Sequence, residues 1–107
     1  MTTVKIKTAG PDGFQTVRAR KLGVPGLVIT GSRGLYDLTH VESGCRMPAS
    51  VYNYNATLEQ IRNAAFLASG VSPVDWTVPN AELDRVECVA WYRAFGSALA
   101  HSYDGFR

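Results

Sequence analysis

The sequence predicts an α+β domain in which an antiparallel meander of four or five strands packs against two C-terminal helices. Up to about residue 56, short alternating segments are separated by turns rich in glycine and proline; after it, apolar residues recur at helical spacing. The charge changes at the same place. Residues 1–56 hold seven basic and three acidic residues, whereas residues 57–107 hold four basic and six acidic residues. A chain of 107 residues is expected to form a single domain, residues 1–107.

The first half of the chain contains the predicted strands. Residues 3–8 alternate strictly between polar and apolar side chains, and the turn chemistry of residues 10–13 predicts a hairpin with a returning strand at 14–20. Glycine-containing turns separate the later segments. These predict strands at 27–30 and 35–41 and a brief fifth strand at 45–47.

The second half contains the predicted helices. Thr57 and Gln60 have the spacing of a capping box, which predicts a helix over 57–69 that ends at Gly70. Asn80 is a candidate N-cap for a second helix over 80–101. Trp76 lies between them, and a lone tryptophan in a short connection is expected to cover the core.

Several functional classes have no signal in the sequence. No run of about 18 apolar residues is present, and the N-terminus lacks the apolar core of a signal peptide, so neither a membrane partner nor export is expected. Cys45 and Cys88 are then expected as reduced thiols in the cytoplasm, here that of a host cell. No metal-ligand spacing and no phosphate-binding glycine motif occurs, and no metal or cofactor is expected.

Cationic side chains in the first two strands are the strongest functional lead. Lys5 and Lys7 alternate with apolar residues, and Arg18 and Arg20 share a face of the returning strand. We name these four residues the basic row. We expect the helices to cover the other side of the sheet and to leave the basic row open to a macromolecule, with two tyrosines in a nearby loop. The predicted contact residues are Lys5, Lys7, Arg18, Arg20, Arg33, Arg46, Tyr52 and Tyr54.

A second candidate lies in the segment around His40. It holds a histidine, a carboxylate (Glu42) and a hydroxyl (Ser43) within a few residues. Nucleophilic catalysis needs a base within reach of the hydroxyl and a third group that orients the base. The alternative is a serine in an ordinary hairpin turn before glycine, which is common. Catalysis through His40 is therefore the third functional hypothesis.

The sequence from Tyr36 to Gly44, followed by the capped helix from Thr57, resembles small proteins of bacteriophages and plasmids. These carry an aromatic residue, Thr-His and Ser/Thr-Gly on a hairpin before a helix. The resemblance implies an origin in a mobile element. Small phage proteins often bind a host complex, and inhibitors of CRISPR and other defence systems are one such class.

The order of strands followed by a helix is also similar to integrase-type and plant ethylene-response-type DNA-binding domains, which place a three-stranded sheet in the major groove. In that resemblance Arg33 and Arg46 join the basic row. This chain differs by the segment 48–56 and by its second long helix.

The first hypothesis is therefore a non-enzymatic binding protein that occludes a host protein or ribonucleoprotein complex. The alternative is a nucleic-acid-binding module that uses the basic face of the sheet.

Overall fold

The computed structural model describes residues 3–10, 13–31, 36–47 and 56–101. They form an α+β fold with an antiparallel sheet and two helices, and this part of the sequence prediction is confirmed. The sheet has the meander order β1-β2-β3-β4. The elements are β1 (Thr3–Gly10), β2 (Gly13–Lys21), β3 (Leu27–Thr30), β4 (Asp37–His40), α1 (Leu58–Val71) and α2 (Arg85–His101).

The β1–β2 hairpin extends past the rest of the sheet. β1 pairs with β2 along its whole length, from Thr3 opposite Arg20 to Gly10 opposite Gly13. β3, in contrast, pairs with β2 only through Ala19, Arg20 and Lys21. The part of β2 before Ala19 therefore has β1 as its only strand neighbour in the register. We call the β1–β2 hairpin the ribbon.

β3 is the central strand of the fold, and all four of its residues are buried. Its neighbour β4 is half-buried at Asp37 and buried at the next three positions. An apolar run buried on both faces is what the sequence Leu-Val-Ile-Thr favours.

The predicted fifth strand is reduced to a single bridge between Thr39 and Arg46. Backbone hydrogen bonds continue on both sides of that bridge: His40 N–H donates to the Cys45 carbonyl at 3.0 Å, and Met47 N–H donates to the Leu38 carbonyl at 2.8 Å. The segment therefore covers the outer edge of β4.

The helix boundaries differ from the sequence prediction at the end of α1 and at the start of α2. The Thr57 capping box is present, with Thr57 Oγ1 accepting from Gln60 N–H at 3.2 Å and Gln60 Oε1 accepting from Thr57 N–H at 2.9 Å. However, α1 continues through Gly70, and its C-cap is Ser72.

Asn80 does not cap α2; it begins a short 3-10 helix, Asn80–Glu82. Asp84 takes the capping role, because its Oδ1 accepts from Val86 N–H at 2.9 Å and from Glu87 N–H at 3.1 Å.

Aromatic rings form the centre of the core between the sheet and the helices. Trp76 and Trp91 are 2% and 0% exposed, so the expected burial of Trp76 is confirmed. Their rings meet edge to face at 5.4 Å, and Trp91 stacks on Phe95 at 5.2 Å. α1 contributes small residues, Ala64, Ala65 and Ala68, which let it approach the rings closely.

Candidate functional site

The register brings the basic row together across the ribbon. Lys5 lies directly opposite Arg18, and Lys7 is two residues further along the same face of β1. Arg20 is opposite Thr3, and Lys7 is opposite Thr16. Positions two apart on a strand share a face, so the four basic positions and two threonine positions form one continuous row.

The side of the sheet on which the basic row lies differs from the expectation. Arg20 is the partner of Ile29, and Ile29 is the partner of Leu38. Both apolar residues belong to the core that packs against the helices. The basic row therefore lies on the same face of the sheet as the helices, not on the opposite face.

The part of the row that β2 supplies remains accessible because the ribbon extends past that core. Arg18 is exposed and Arg20 is half-buried, whereas Ala19 between them is buried. Lys21, just beyond the row, is also exposed, and its carbonyl accepts a hydrogen bond of 2.9 Å from Arg62 Nε of α1. α1 thus meets the base of the ribbon.

The other predicted contact residues do not join this row in the described part of the chain. Arg46 lies beside β4, at the opposite edge of the sheet from β1. It is exposed and forms a 3.4 Å ion pair with Asp37. Arg33, Tyr52 and Tyr54 lie outside the described residues.

His40 is the centre of a buried polar cluster, which we call the His40 cluster: His40, Ser43, Trp76 and Val78. His40 is 3% exposed. Its Nε2–H donates to the Trp76 carbonyl at 2.8 Å and to the Val78 carbonyl at 3.0 Å. Because both partners are acceptors, Nε2 carries a proton, and Nδ1 shares a hydrogen bond of 2.8 Å with Ser43 Oγ.

This arrangement accounts for the polar atoms of His40 and Ser43 without a substrate. Ser43 Oγ also accepts from Cys45 N–H at 3.2 Å, so the amide nearest to the hydroxyl is already in use. A serine nucleophile needs amide donors that remain free for an oxyanion. The hydrogen bonds instead tie the turn after β4 to the loop that contains Trp76.

Close backbone packing supports the same loop. Gly26 has a φ of +90°, and a Cβ on this residue would overlap the Trp76 carbonyl group. Only glycine fits this contact and this conformation. On the outer side of the loop, the side-chain hydroxyl and then the amide of Thr77 hydrogen-bond to Asp75 and hold the pKa of its carboxyl below its usual value.

Sequence reasoning found His40 and Ser43 but missed Trp76 and Val78 as their partners. The Trp76 carbonyl is 36 residues from His40 in the sequence, and a backbone acceptor has no residue-type signal. Both cysteines are free; Cys45 is exposed and Cys88 is buried. Burial raises the pKa of the Cys88 thiol.

The described residues contain no group of three or more His, Cys, Asp and Glu side chains arranged to hold a metal ion. Among the described helices, none combines the length and the apolar character needed to cross a membrane.

No protein family model, curated protein sequence or solved structure matches this chain.

Proposed function

We propose that this chain is a non-enzymatic binding module that places its basic row on the phosphate backbone of nucleic acid. The observation that carries the proposal is the cross-strand register, which aligns Lys5 with Arg18 and continues the row to Arg20 and Lys7. Phosphate contacts by Lys and Arg supply most of the affinity in binding that does not depend on sequence.

The composition of the row favours phosphate over a protein surface. The row has lysine, arginine and threonine positions, and the aromatic position on the same face, Phe14 opposite Ala9, lies beyond it. Arginine, lysine and threonine are typical donors to phosphate oxygens. The centres of protein interfaces, in contrast, are depleted in lysine and depend on tryptophan, tyrosine and arginine anchors.

The shape of the ribbon also suits a nucleic acid groove. β1 has eight residues, which corresponds to a length of roughly 26 Å. A two-stranded ribbon of this kind fits the major groove of B-form DNA, which is about 12 Å wide. The ribbon extends past β3, so the helices need not enter the groove.

A second proposal uses the same basic row: a cytoplasmic protein that originates in a mobile element and occludes a host complex. In the occlusion hypothesis the same basic row would face carboxylates, or phosphates of a ribonucleoprotein, and the experiment below separates free nucleic acid from such a partner. The non-enzymatic assignment rests on the burial of His40, which is 3% exposed, because the Ser43–His40 hydrogen bond is one that nucleophilic catalysis also needs.

The test is binding of a fluorescent 20-base-pair duplex, measured by anisotropy over a series of salt concentrations. We expect the affinity to fall steeply with salt, and we expect replacement of the basic row by glutamine to reduce the slope of log K against log salt by about 3 to 4. Arg93→Gln is the matched control, because Arg93 is an exposed arginine of α2, away from the ribbon.

Two results would overturn the proposal. One is the absence of duplex binding at low salt by the intact chain. The other is a slope that the glutamine variant of the basic row leaves unchanged, or one that Arg93→Gln alone reduces by about 0.9, the value of one phosphate contact. If the chain instead captures one protein complex from a nuclease-treated lysate and ignores free duplex, occlusion replaces nucleic acid binding as the function.

A further inference from the structure

Three residues of the His40 cluster, His40, Ser43 and Trp76, line a small cavity that lies at a distance along the sheet from the ribbon. Its volume is about 210 Å³. The turn after β4, the segment that follows Trp76 and the first turns of α2 enclose it. The residues that matter for its chemistry are Trp76, Arg46, Leu83, Arg85 and Tyr92.

The side chains that line the cavity include positive charges, while the Asp84 and Glu87 carboxylates act on the lining residue Cys88 from outside the lining. Its lining includes two arginines and no aspartate or glutamate. Arg46 shares its charge with Asp37 through the 3.4 Å ion pair. Arg85 is exposed on the first residue of α2, and within the described part of the chain it has no hydrogen bond or ion pair to another side chain.

The amides at the start of α2 are not the source of this positive charge. Asp84 Oδ1 already accepts from the N–H groups of Val86 and Glu87. An anion in the cavity would therefore be held by side chains, chiefly by the Arg85 guanidinium.

A second, independent observation is a buried donor without an acceptor. Trp76 is 2% exposed, and in the described part of the chain its indole Nε1 is the buried side-chain nitrogen that finds no hydrogen-bond partner. An unpaired buried N–H destabilises a fold and calls for an explanation. Trp76 lines the cavity, and a small rotation of its ring would bring Nε1, which has almost no accessible surface, to an acceptor oxygen of a bound molecule.

The other walls indicate the rest of the ligand. Burial raises the pKa of the Tyr92 phenol to about 12, so the phenol keeps its proton and can donate. Leu83 and Met47 supply apolar surface. Drug-sized ligands occupy cavities of about 300–1,000 Å³, so this one suits a smaller molecule.

We propose that this cavity binds a small organic anion: one carboxylate or phosphate group, recognised by Arg85 and the Trp76 indole, on a short apolar body. The site is separate from the basic row and does not depend on nucleic acid binding.

Nuclear magnetic resonance of the two indole N–H groups tests the proposal directly. The sequence has two tryptophans, and Trp91 Nε1–H donates to Ser69 Oγ at 3.1 Å, so the Trp91 signal is an internal reference. A Ser69→Ala variant assigns it. The probes are benzoate and phenyl phosphate, and benzyl alcohol is the neutral control.

We expect at least one anionic probe to shift the Trp76 indole signal saturably while the Trp91 signal stays in place. Whichever of the two binds more tightly identifies the anionic group. We expect Arg85→Gln to weaken binding about tenfold, the loss of one charge-assisted hydrogen bond, and Arg93→Gln on the same helix to leave it unchanged.

Three outcomes would overturn the proposal: no saturable shift of the Trp76 signal with either anion, binding of benzyl alcohol as tight as that of benzoate, or equal losses in the two arginine variants. Arg85 and Arg93 are both exposed, so neither substitution should disturb the fold. The spectrum of each variant checks this, because an intact fold keeps the dispersed signals of the parent protein.

Discussion

The ribbon and the Trp76 loop are held in place by opposite kinds of contact. The part of the ribbon that lies before Ala19 on β2, beyond the end of β3, is held by pairing between β1 and β2, which are close in sequence. The Trp76 loop is held by residues far from it in sequence, namely His40 and Gly26. We therefore expect substitutions in the ribbon to weaken duplex binding with little change in the free energy of unfolding. Substitutions around the Trp76 loop should lower the free energy of unfolding with little effect on duplex binding.

Gly26→Ala is expected to cause the largest loss in the free energy of unfolding. The new methyl group would overlap the Trp76 carbonyl, and alanine at a φ of +90° is strained. We expect a loss of at least about 3 kcal/mol in the free energy of unfolding, measured by urea denaturation.

Gly23→Ala is the matched control for that substitution. Gly23 has a φ of +94°, but a Cβ there would meet nothing within 4 Å. We expect a loss of about 1 kcal/mol, from backbone strain alone. Equal losses at the two glycines would show that contact with the Trp76 loop does not matter.

His40→Leu is expected to cause the next largest loss in the free energy of unfolding. It leaves the Trp76 and Val78 carbonyls and the Ser43 hydroxyl without their imidazole partner, and we expect a loss of about 2–3 kcal/mol. Urea denaturation measures the loss, and Glu42→Gln, an exposed neighbour, is the control with little expected change. A His40→Leu variant as stable as the parent would contradict the structural role assigned to the cluster.

Thr57→Ala tests a contact that is local, like those of the ribbon, but lies in the core region. It removes the hydroxyl that accepts from Gln60 N–H, and we expect a loss of about 1 kcal/mol with an intact core. Thr57→Ser retains the hydroxyl and should restore most of the stability. Thermal unfolding of the three proteins measures the difference, and a serine variant as unstable as the alanine variant would argue against the cap.

Arg18→Thr has the smallest expected effect on stability, and it is the substitution expected to raise the free energy of unfolding. Arg18 lies directly opposite Lys5, and like charges in that position are destabilising. We expect a gain of a few tenths of a kcal/mol together with weaker duplex binding. Loss of stability along with binding would mean that the ribbon supports the fold, which would remove the contrast drawn above.

Features that depend on nearby residues were predictable from the sequence. The Thr57–Gln60 capping box needs only its own spacing, and the ribbon needs only alternation and a turn. The start of α2 was not predictable in the same way, because Asn80 and Asp84 are both capable of capping a helix. The choice of Asp84 places the 3-10 helix Asn80–Glu82 before α2.

The side of the sheet on which the basic row lies was also beyond the sequence. Alternation shows that Arg18 and Arg20 share a face, but the β2–β3 register decides which face it is. Pairing of Arg20 with Ile29 fixes it on the core side, and a shift by one residue would have reversed the result. The partners of His40 were hidden for a related reason, since they are backbone carbonyls from a distant loop.

The 36 residues between His40 and Trp76 also matter while the chain is being made. At synthesis rates of 5–20 residues per second, residue 76 follows residue 40 by roughly 2–7 seconds, whereas a hairpin pairs within microseconds. During that interval β3, which is buried on both faces in the finished fold, has no helix to cover it. Arg20 and Lys21, immediately before the turn that leads into β3, are positioned to keep neighbouring nascent chains from pairing with it.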